Sequence, residues 1–157
     1  IKSPKETGKS FVSNSKLKAN FFSKYVNYPV ISDDSGLCIQ VLNNKPGIYS
    51  ARLAKKYGSF LKAMRFILKK MKNKKNRKAT FVCSLSYKKK DGKIVSVEGR
   101  LKGNISSKIL GNKGFGYDPI FIPLREKITF GQMLKSKKIK MDHRYIAFQK
   151  LKKKIKI

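Results

Sequence analysis

The chain has 157 residues, 40% of them hydrophobic, which suits one compact domain with a buried core, and no apolar run is long enough to span a bilayer. Two cysteines, Cys38 and Cys83, and one histidine, His143, exclude a Cys/His zinc site and a disulfide framework, and they point to free thiols in a reducing, cytoplasmic compartment. The formal charge of +31 is almost all lysine spread along the chain, which fits a residue bias with solvated lysines better than a dedicated base-reading surface built on arginine.

The first residues, Ile1-Lys2-Ser3-Pro4-Lys5, lack the basic-then-apolar layout of a secretory signal and begin without Met, so the domain is expected to be incomplete at its N-terminus. Ser3-Pro4-Lys5-Glu6 fits a helix capping box, and Glu6 equally fits a metal ligand. Over residues 13–26, Leu17, Phe21 and Tyr25 recur at helical spacing, with Ser13 as N-cap. Asn14 and Lys18 share another stripe of that helix and can face one site. Residues 29–32 read as a short strand ending at Asp33-Asp34-Ser35-Gly36, and residues 37–42 as a second one. A turn follows over residues 43–47.

Leu61, Met64, Leu68 and Met71 mark a further helix, and the lysine-rich run 69–78 its exposed end and a loop. Residues 79–87 and 94–101 are strand-like, joined by the hairpin turn Lys90-Asp91-Gly92-Lys93. A Gly-rich loop over 111–116 leads into an expected strand at 117–122. A last helix starts near Asp142 and buries Ala147, Leu151 and Ile155. Helices interleaved with strands and a hairpin give an α/β fold with a mixed sheet.

Only eight acidic residues are present, so any carboxylate chemistry must draw on them. Asp33 and Asp34 at a strand end are placed as a base or metal ligand must be, although Asp-Ser-Gly is also ordinary turn chemistry. Glycines in Gly111-Asn112-Lys113-Gly114-Phe115-Gly116-Tyr117-Asp118 allow close backbone approach, and an aromatic face there can stack on a purine; a Gly-rich hairpin is the simpler account. The loop is not a P-loop, because no Gly-Lys-Ser/Thr closes it. Asp142-His143-Arg144 opens a helix, where His and Arg can donate to a carbonyl or phosphate, or simply lie at the surface.

In order, Glu6-Thr7-Gly8-Lys9-Ser10-Phe11, Asn14, Lys18-Ala19, Asp33-Asp34-Ser35-Gly36-Leu37, Pro46-Gly47-Ile48-Tyr49-Ser50-Ala51-Arg52, Gly114-Phe115-Gly116-Tyr117-Asp118-Pro119-Ile120-Phe121 and His143-Arg144 run nearly end to end. Together they resemble the noncanonical purine nucleoside triphosphate pyrophosphatases, the inosine/xanthosine triphosphate pyrophosphatase family. The resemblance implies an elongated, two-lobed α/β domain with a long central mixed sheet flanked by helices and a substrate cleft between lobes, usually as a homodimer. It implies Mg²⁺-dependent hydrolysis of inosine, xanthosine and deoxyinosine triphosphates to monophosphate and pyrophosphate.

By the same resemblance Asp34 is the general base, Lys18 a catalytic partner facing the phosphates, and Glu6 with Asp34 the metal ligands. Asn14 and Ser35 contact substrate. Phe115, Gly116, Tyr117, Asp118, Lys138, His143 and Arg144 bind the purine. Departures are Lys5 and Ser13 where carboxylates are common, Tyr145 where a glycine usually follows His-Arg, and the absence of a Thr-Gly-Asn…Lys loop before Ile1. Two alternatives stay open: a basic nucleic-acid-binding protein, and an inactive fragment of the enzyme.

Overall fold

A computed structural model describes residues 1–156 of the chain. In order, the elements are α1 (Phe11–Phe22), β1 (Val30–Ile39), β2 (Lys45–Pro46), α2 (Ser50–Tyr57), α3 (Phe60–Met71), β3 (Lys78–Lys88), β4 (Ile94–Ile105), β5 (Phe121–Pro123), α4 (Lys135–Lys138) and α5 (His143–Ile155). Short 3-10 turns occupy Gln40–Leu42, Gly47–Tyr49 and Asp118–Ile120. The strands form one sheet in the order β2-β1-β3-β4-β5, and the β1–β2 and β4–β5 pairings are antiparallel, with Cys38 opposite Pro46 and Asn104 opposite Ile122. The α/β class expected from the interleaved pattern holds. The chain groups into two compact units, one built from Ile1–Ser35, Val82–Arg100 and the chain from His143 onward, the other from Gly36–Phe81 and Leu101–Asp142.

In the first unit, Cys83, Leu85, Val97, Ala147 and Leu151 form the apolar core, with Tyr87, Val95 and Ile155 packed against it. Helix α5 approaches β4 so closely that a Cβ at Gly99 would collide with the carbonyl of His143 and the backbone of Ala147. Helix α1 is seated differently. Its buried residues are Phe11, Asn14, Ser15 and Ala19, so the expected Leu17–Phe21–Tyr25 stripe is not the buried face. Ser15 Oγ lies 3.0 Å from Ser84 Oγ and 2.7 Å from Ser86 Oγ, so hydroxyls on β3 receive the helix, and Ser96 Oγ on β4 backs Ser86 at 2.8 Å. Such hydroxyls can be buried because each finds a partner.

Helix α1 also starts earlier and stops sooner than residues 13–26. Ser10, not Ser13, is the N-cap, and Ser13 returns a side-chain contact to the cap, closing a reciprocal box over the first turn. The expected capping box at Ser3 does not form, because residues 1–10 carry no helix.

The expected break at residues 33–36 is also absent: β1 runs straight through it. Ser32 and Asp34 are buried while Asp33 and Ser35 are half-buried, the alternation of a strand with two different faces. Both carboxylates find cations, described below, so neither must turn back onto its own backbone. Residues 90–93 make the expected hairpin, with Lys89 N–H donating to Lys93 C=O over 2.8 Å.

In the second unit, the core gathers Leu37, Ile39, Ala63, Met64, Ile67, Met71, Phe81, Ile105, Ile120, Phe121, Phe130 and Met133. Helix α3 supplies Met64 and Met71 to it as expected, with Ser59 as N-cap. The strand expected at 117–122 begins only at Phe121, because Pro119 lacks an N–H and Asp118–Ile120 closes into a 3-10 turn. Arg77 closes this unit from within, its guanidinium donating to the carbonyls of Ile105, Met71 and Ser106 at 2.7, 3.2 and 2.7 Å.

Candidate active site

The first unit brings together Glu6, Asp33 and Asp34 of the acidic residues singled out in the sequence, whereas Asp118 and Asp142 belong to the second. Gly8 N–H donates to Asn14 Oδ1 over 2.8 Å, tying the irregular N-terminal segment to α1. A Cβ at Gly8 would strike Ser13 Oγ and Asn14 Oδ1 and push both out of the hydrogen bonds that seat the segment on the helix. That seating delivers Glu6. Lys18, one turn after Asn14, donates from Nζ to Glu6 Oε1 at 2.8 Å and to Asp34 Oδ1 at 3.2 Å. Asn14 is fully buried, and its Nδ2 lies 3.4 Å from Asp34 Oδ2. The i, i+4 relation of Asn14 and Lys18 thus places both on Asp34.

Charges here are unequal. Burial pushes the Asp34 carboxyl up; the Lys18 ammonium pulls it down, the neighbouring Glu6 charge pushes it up again, and the net direction is above the ordinary carboxylate value. Burial pulls the Lys18 ammonium down, but the Glu6 hydrogen bond and the charges of Asp34 and Glu6 outweigh it, and its pKa rises. Burial, with the Glu6 charge beside it, thus outweighs the shared ammonium and leaves Asp34 a stronger proton acceptor than an isolated aspartate.

Glu6 and Asp34 reach the same cation, so their oxygens can address one ion of hard, oxygen-seeking character. No group of three or more His, Cys, Asp or Glu side chains gathers among the described residues. Two carboxylates fit a Mg²⁺ that keeps waters and takes substrate phosphate oxygens for its remaining positions.

Asp33, next to Asp34, serves the other face of β1. Its Oδ2 accepts from Arg144 Nη2 at 2.7 Å and from Ser35 Oγ at 3.3 Å. Burial pushes the Asp33 carboxyl up, but the hydrogen bond and charge of Arg144, with Lys18 and Ser35, overcome it and hold it below its usual value. The side chains of Arg144 and Asp33 are 55% and 45% exposed, so as glue the pair is worth about 0–1 kcal/mol. His143, the first residue of α5, is buried.

The second unit holds the aromatic loop. Gly114 and Gly116 adopt positive φ of 75° and 63°, and a Cβ at Gly114 would collide with the Asp118 carboxylate. Asp118 Oδ2 accepts from the Phe115 N–H at 2.7 Å and from Lys138 Nζ at 2.7 Å. Burial raises the Asp118 pKa, and Lys138 with the Phe115 N–H only partly offsets this. Lys138 Nζ also stands 5.4 Å from the Phe130 ring centroid. Phe115 is 72% exposed, with its ring edge against Phe60 at 5.2 Å between centroids. Tyr117 is buried, packs edge-to-face with the same Phe60 ring at 5.2 Å between centroids, and donates its hydroxyl to Ser50 C=O at 2.6 Å. Its phenol is pushed up by burial.

One supporting residue here carries no signal in the sequence, and one partnership is invisible to it. Phe60, which supports Phe115, carried no motif signal. Asp33 was visible as half of an acidic pair, but its partner Arg144 is 111 residues away, and only the fold reveals it.

No helix among the described residues is long and apolar enough to cross a membrane. Over 154 residues the chain is 45% identical to a dITP/XTP pyrophosphatase of Dictyoglomus thermophilum, covering 95% of this chain and 74% of that protein. It is 46% identical to the dITP/XTP pyrophosphatase of Borreliella burgdorferi (strain ZS7), covering 95% of this chain and 78% of that protein. Among solved structures, the Staphylococcus aureus Ham1 protein superposes with a TM-score of 0.91 at 36% identity, over 99% of this chain and 81% of that one. The Ham1 family matches residues 1–154, nearly the whole chain, and the chain belongs to that family.

Proposed function

We propose that the chain hydrolyses noncanonical purine nucleoside triphosphates (ITP, dITP and XTP) to the monophosphate and pyrophosphate, clearing deaminated purines from the nucleotide pool. The observation that carries this reading is the convergence of Glu6 and Asp34 on the Lys18 ammonium, at 2.8 and 3.2 Å. Asp34 accepts a proton from a water molecule as its oxygen forms a bond to the α-phosphorus. The bond from the α-phosphorus to the bridging oxygen breaks, and pyrophosphate leaves with that oxygen. Lys18 offsets negative charge on the phosphates, and Asn14 keeps Asp34 directed. Glu6 and Asp34 would hold Mg²⁺, which supplies charge neutralisation and orientation at the phosphates. Ser35 contacts substrate beside the base.

For the purine, we assign Phe115, Gly116, Tyr117, Asp118, Lys138, His143 and Arg144. The exposed ring of Phe115 offers a stacking face, whereas the buried Tyr117 acts through the loop it anchors. Hypoxanthine and xanthine carry a carbonyl at C6 where adenine carries an amino group. Donors such as Arg144 satisfy the carbonyl and face another donor on adenine, which a site built for hydrogen bonding rejects by orders of magnitude. A cytoplasmic location and a homodimer complete the proposal; sedimentation at micromolar concentration tests the dimer.

The experiment is pyrophosphate release from ITP, XTP, GTP and ATP with Mg²⁺ and with EDTA. The reading expects release favouring ITP and XTP, and its loss with EDTA. Equal rates on all four would remove the purine selectivity, and no release from any would end the enzyme assignment.

A further inference from the structure

We propose that Asp33 is a positioning residue for purine selection: it holds the Arg144 guanidinium in the orientation that reads the base. This rests on the function proposed above and deepens it. Adjacent carboxylates on a strand point to opposite faces, and here each meets a different cation. Asp34 meets Lys18, the phosphate-facing cation; Asp33 meets Arg144 at 2.7 Å. One dipeptide in β1 therefore sets both the chemical step and the direction of a recognition side chain.

The alternative use of the Asp33–Arg144 pair, to fasten α5, is poorly served by its geometry. Both side chains are about half exposed, where solvent screens an ion pair. Helix α5 is fastened elsewhere: Ala147 and Leu151 are fully buried, its backbone is in contact distance at Gly99, and Lys150 Nζ donates to Glu98 C=O at 2.8 Å. Loss of the pair leaves that seating intact.

What the pair does fix is rotation. Arg144 is the second residue of α5 and carries a long, flexible stem ending in a planar group with five N–H donors in a rigid fork. A carboxylate on one edge of the fork restricts the stem and sets the plane, so that another edge can meet an acceptor such as a C6 carbonyl without first being ordered. Ser35 donates to the same Asp33 oxygen at 3.3 Å and steadies the carboxylate in turn. An amide at position 33 keeps the size but loses the charge that holds the guanidinium.

The test is pyrophosphate release from ITP and ATP by the wild type, Asp33→Asn, Asp33→Glu, Arg144→Lys and the double variant Asp33→Asn/Arg144→Lys, with melting curves for each. We expect Asp33→Asn to melt near the wild type and to raise KM for ITP, with kcat changed far less. The ITP-over-ATP ratio of kcat/KM should fall roughly two- to fivefold, the range that loss of a solvent-screened ion pair can supply. Asp33→Glu should recover part of the ratio, and the double variant should lose little more than Arg144→Lys alone. An undiminished ratio in Asp33→Asn, or an equal fall in kcat for both substrates, would overturn the role of Asp33 while leaving the enzyme reading intact. If Asp33→Asn does not fold, additive losses in Asp33→Glu and Arg144→Lys, measured with their own double variant, would overturn it instead. A wild type that releases no pyrophosphate would sink the function, and this role with it.

Discussion

Lys138 Nζ lies 2.7 Å from Asp118 Oδ2, with their side chains only 14% and 3% exposed. This buried pair holds the loop that carries Phe115, since the same carboxylate oxygen accepts from the Phe115 N–H. Removing one partner of such a pair leaves an uncompensated charge and costs about 3–5 kcal/mol. Lys138→Met should therefore lower the melting temperature and raise KM for ITP. The sign of its pH dependence follows from Asp118, whose folded pKa is already above its ordinary value. A group raised on folding adds stability below its unfolded pKa and loses that contribution as pH rises through the folded pKa. Without Lys138 the carboxyl rises further. The deficit measured by thermal melting should thus be smaller near pH 4 than at neutral pH.

Asp34→Asn removes the proton acceptor while keeping shape and a hydrogen-bonding side chain. Pyrophosphate release from ITP should drop by roughly 10²–10⁴. Circular dichroism and melting should stay close to the wild type, since the substitution also relieves a carboxylate that burial disfavours.

The Asp34 titration should respond to its two charged neighbours in opposite directions. The Lys18 charge lowers its pKa and the Glu6 charge raises it. Carboxylate ¹³C NMR in metal-free buffer should show Asp34 titrating above an ordinary aspartate in the wild type, higher still in Lys18→Met, and lower in Glu6→Gln. Movement in one direction for both variants would contradict the shared-ammonium arrangement.

Gly99→Ala tests the seating of α5. The added methyl meets backbone on His143 and Ala147, which cannot step aside as a side-chain tip can. Overpacking of this kind costs about 1–3 kcal/mol. Chemical denaturation should register the loss, and KM for ITP should rise because His143 and Arg144 begin the displaced helix.

The acidic site was legible because its parts are local or carry strong patterns. Asn14 and Lys18 are one turn apart, so helical spacing alone places them on a common face, and both meet Asp34. Helix α3 and the β3–β4 hairpin followed from periodicity and turn residues. Misreadings arose where tertiary partners overrode local preference. Asp-Asp-Ser-Gly has turn chemistry, yet it continues as strand because Lys18 and Arg144 satisfy the two carboxylates. The apolar stripe Leu17–Phe21–Tyr25 misidentified the buried face of α1, since hydrophobic spacing is blind to a helix received by serines. The pairing of Asp33 with Arg144 joins two chain segments that no local signal connects.

The serine contacts beneath α1 carry a mechanical consequence. Oily interfaces tolerate sliding, because one methyl can replace another at little loss. Hydroxyl contacts are directional, and moving the helix by one turn, about 5.4 Å, would strand several of them away from water. Helix α1 is therefore keyed into a single notch along the sheet, and the reach of Lys18 toward the two acids is inherited from that fixed seat.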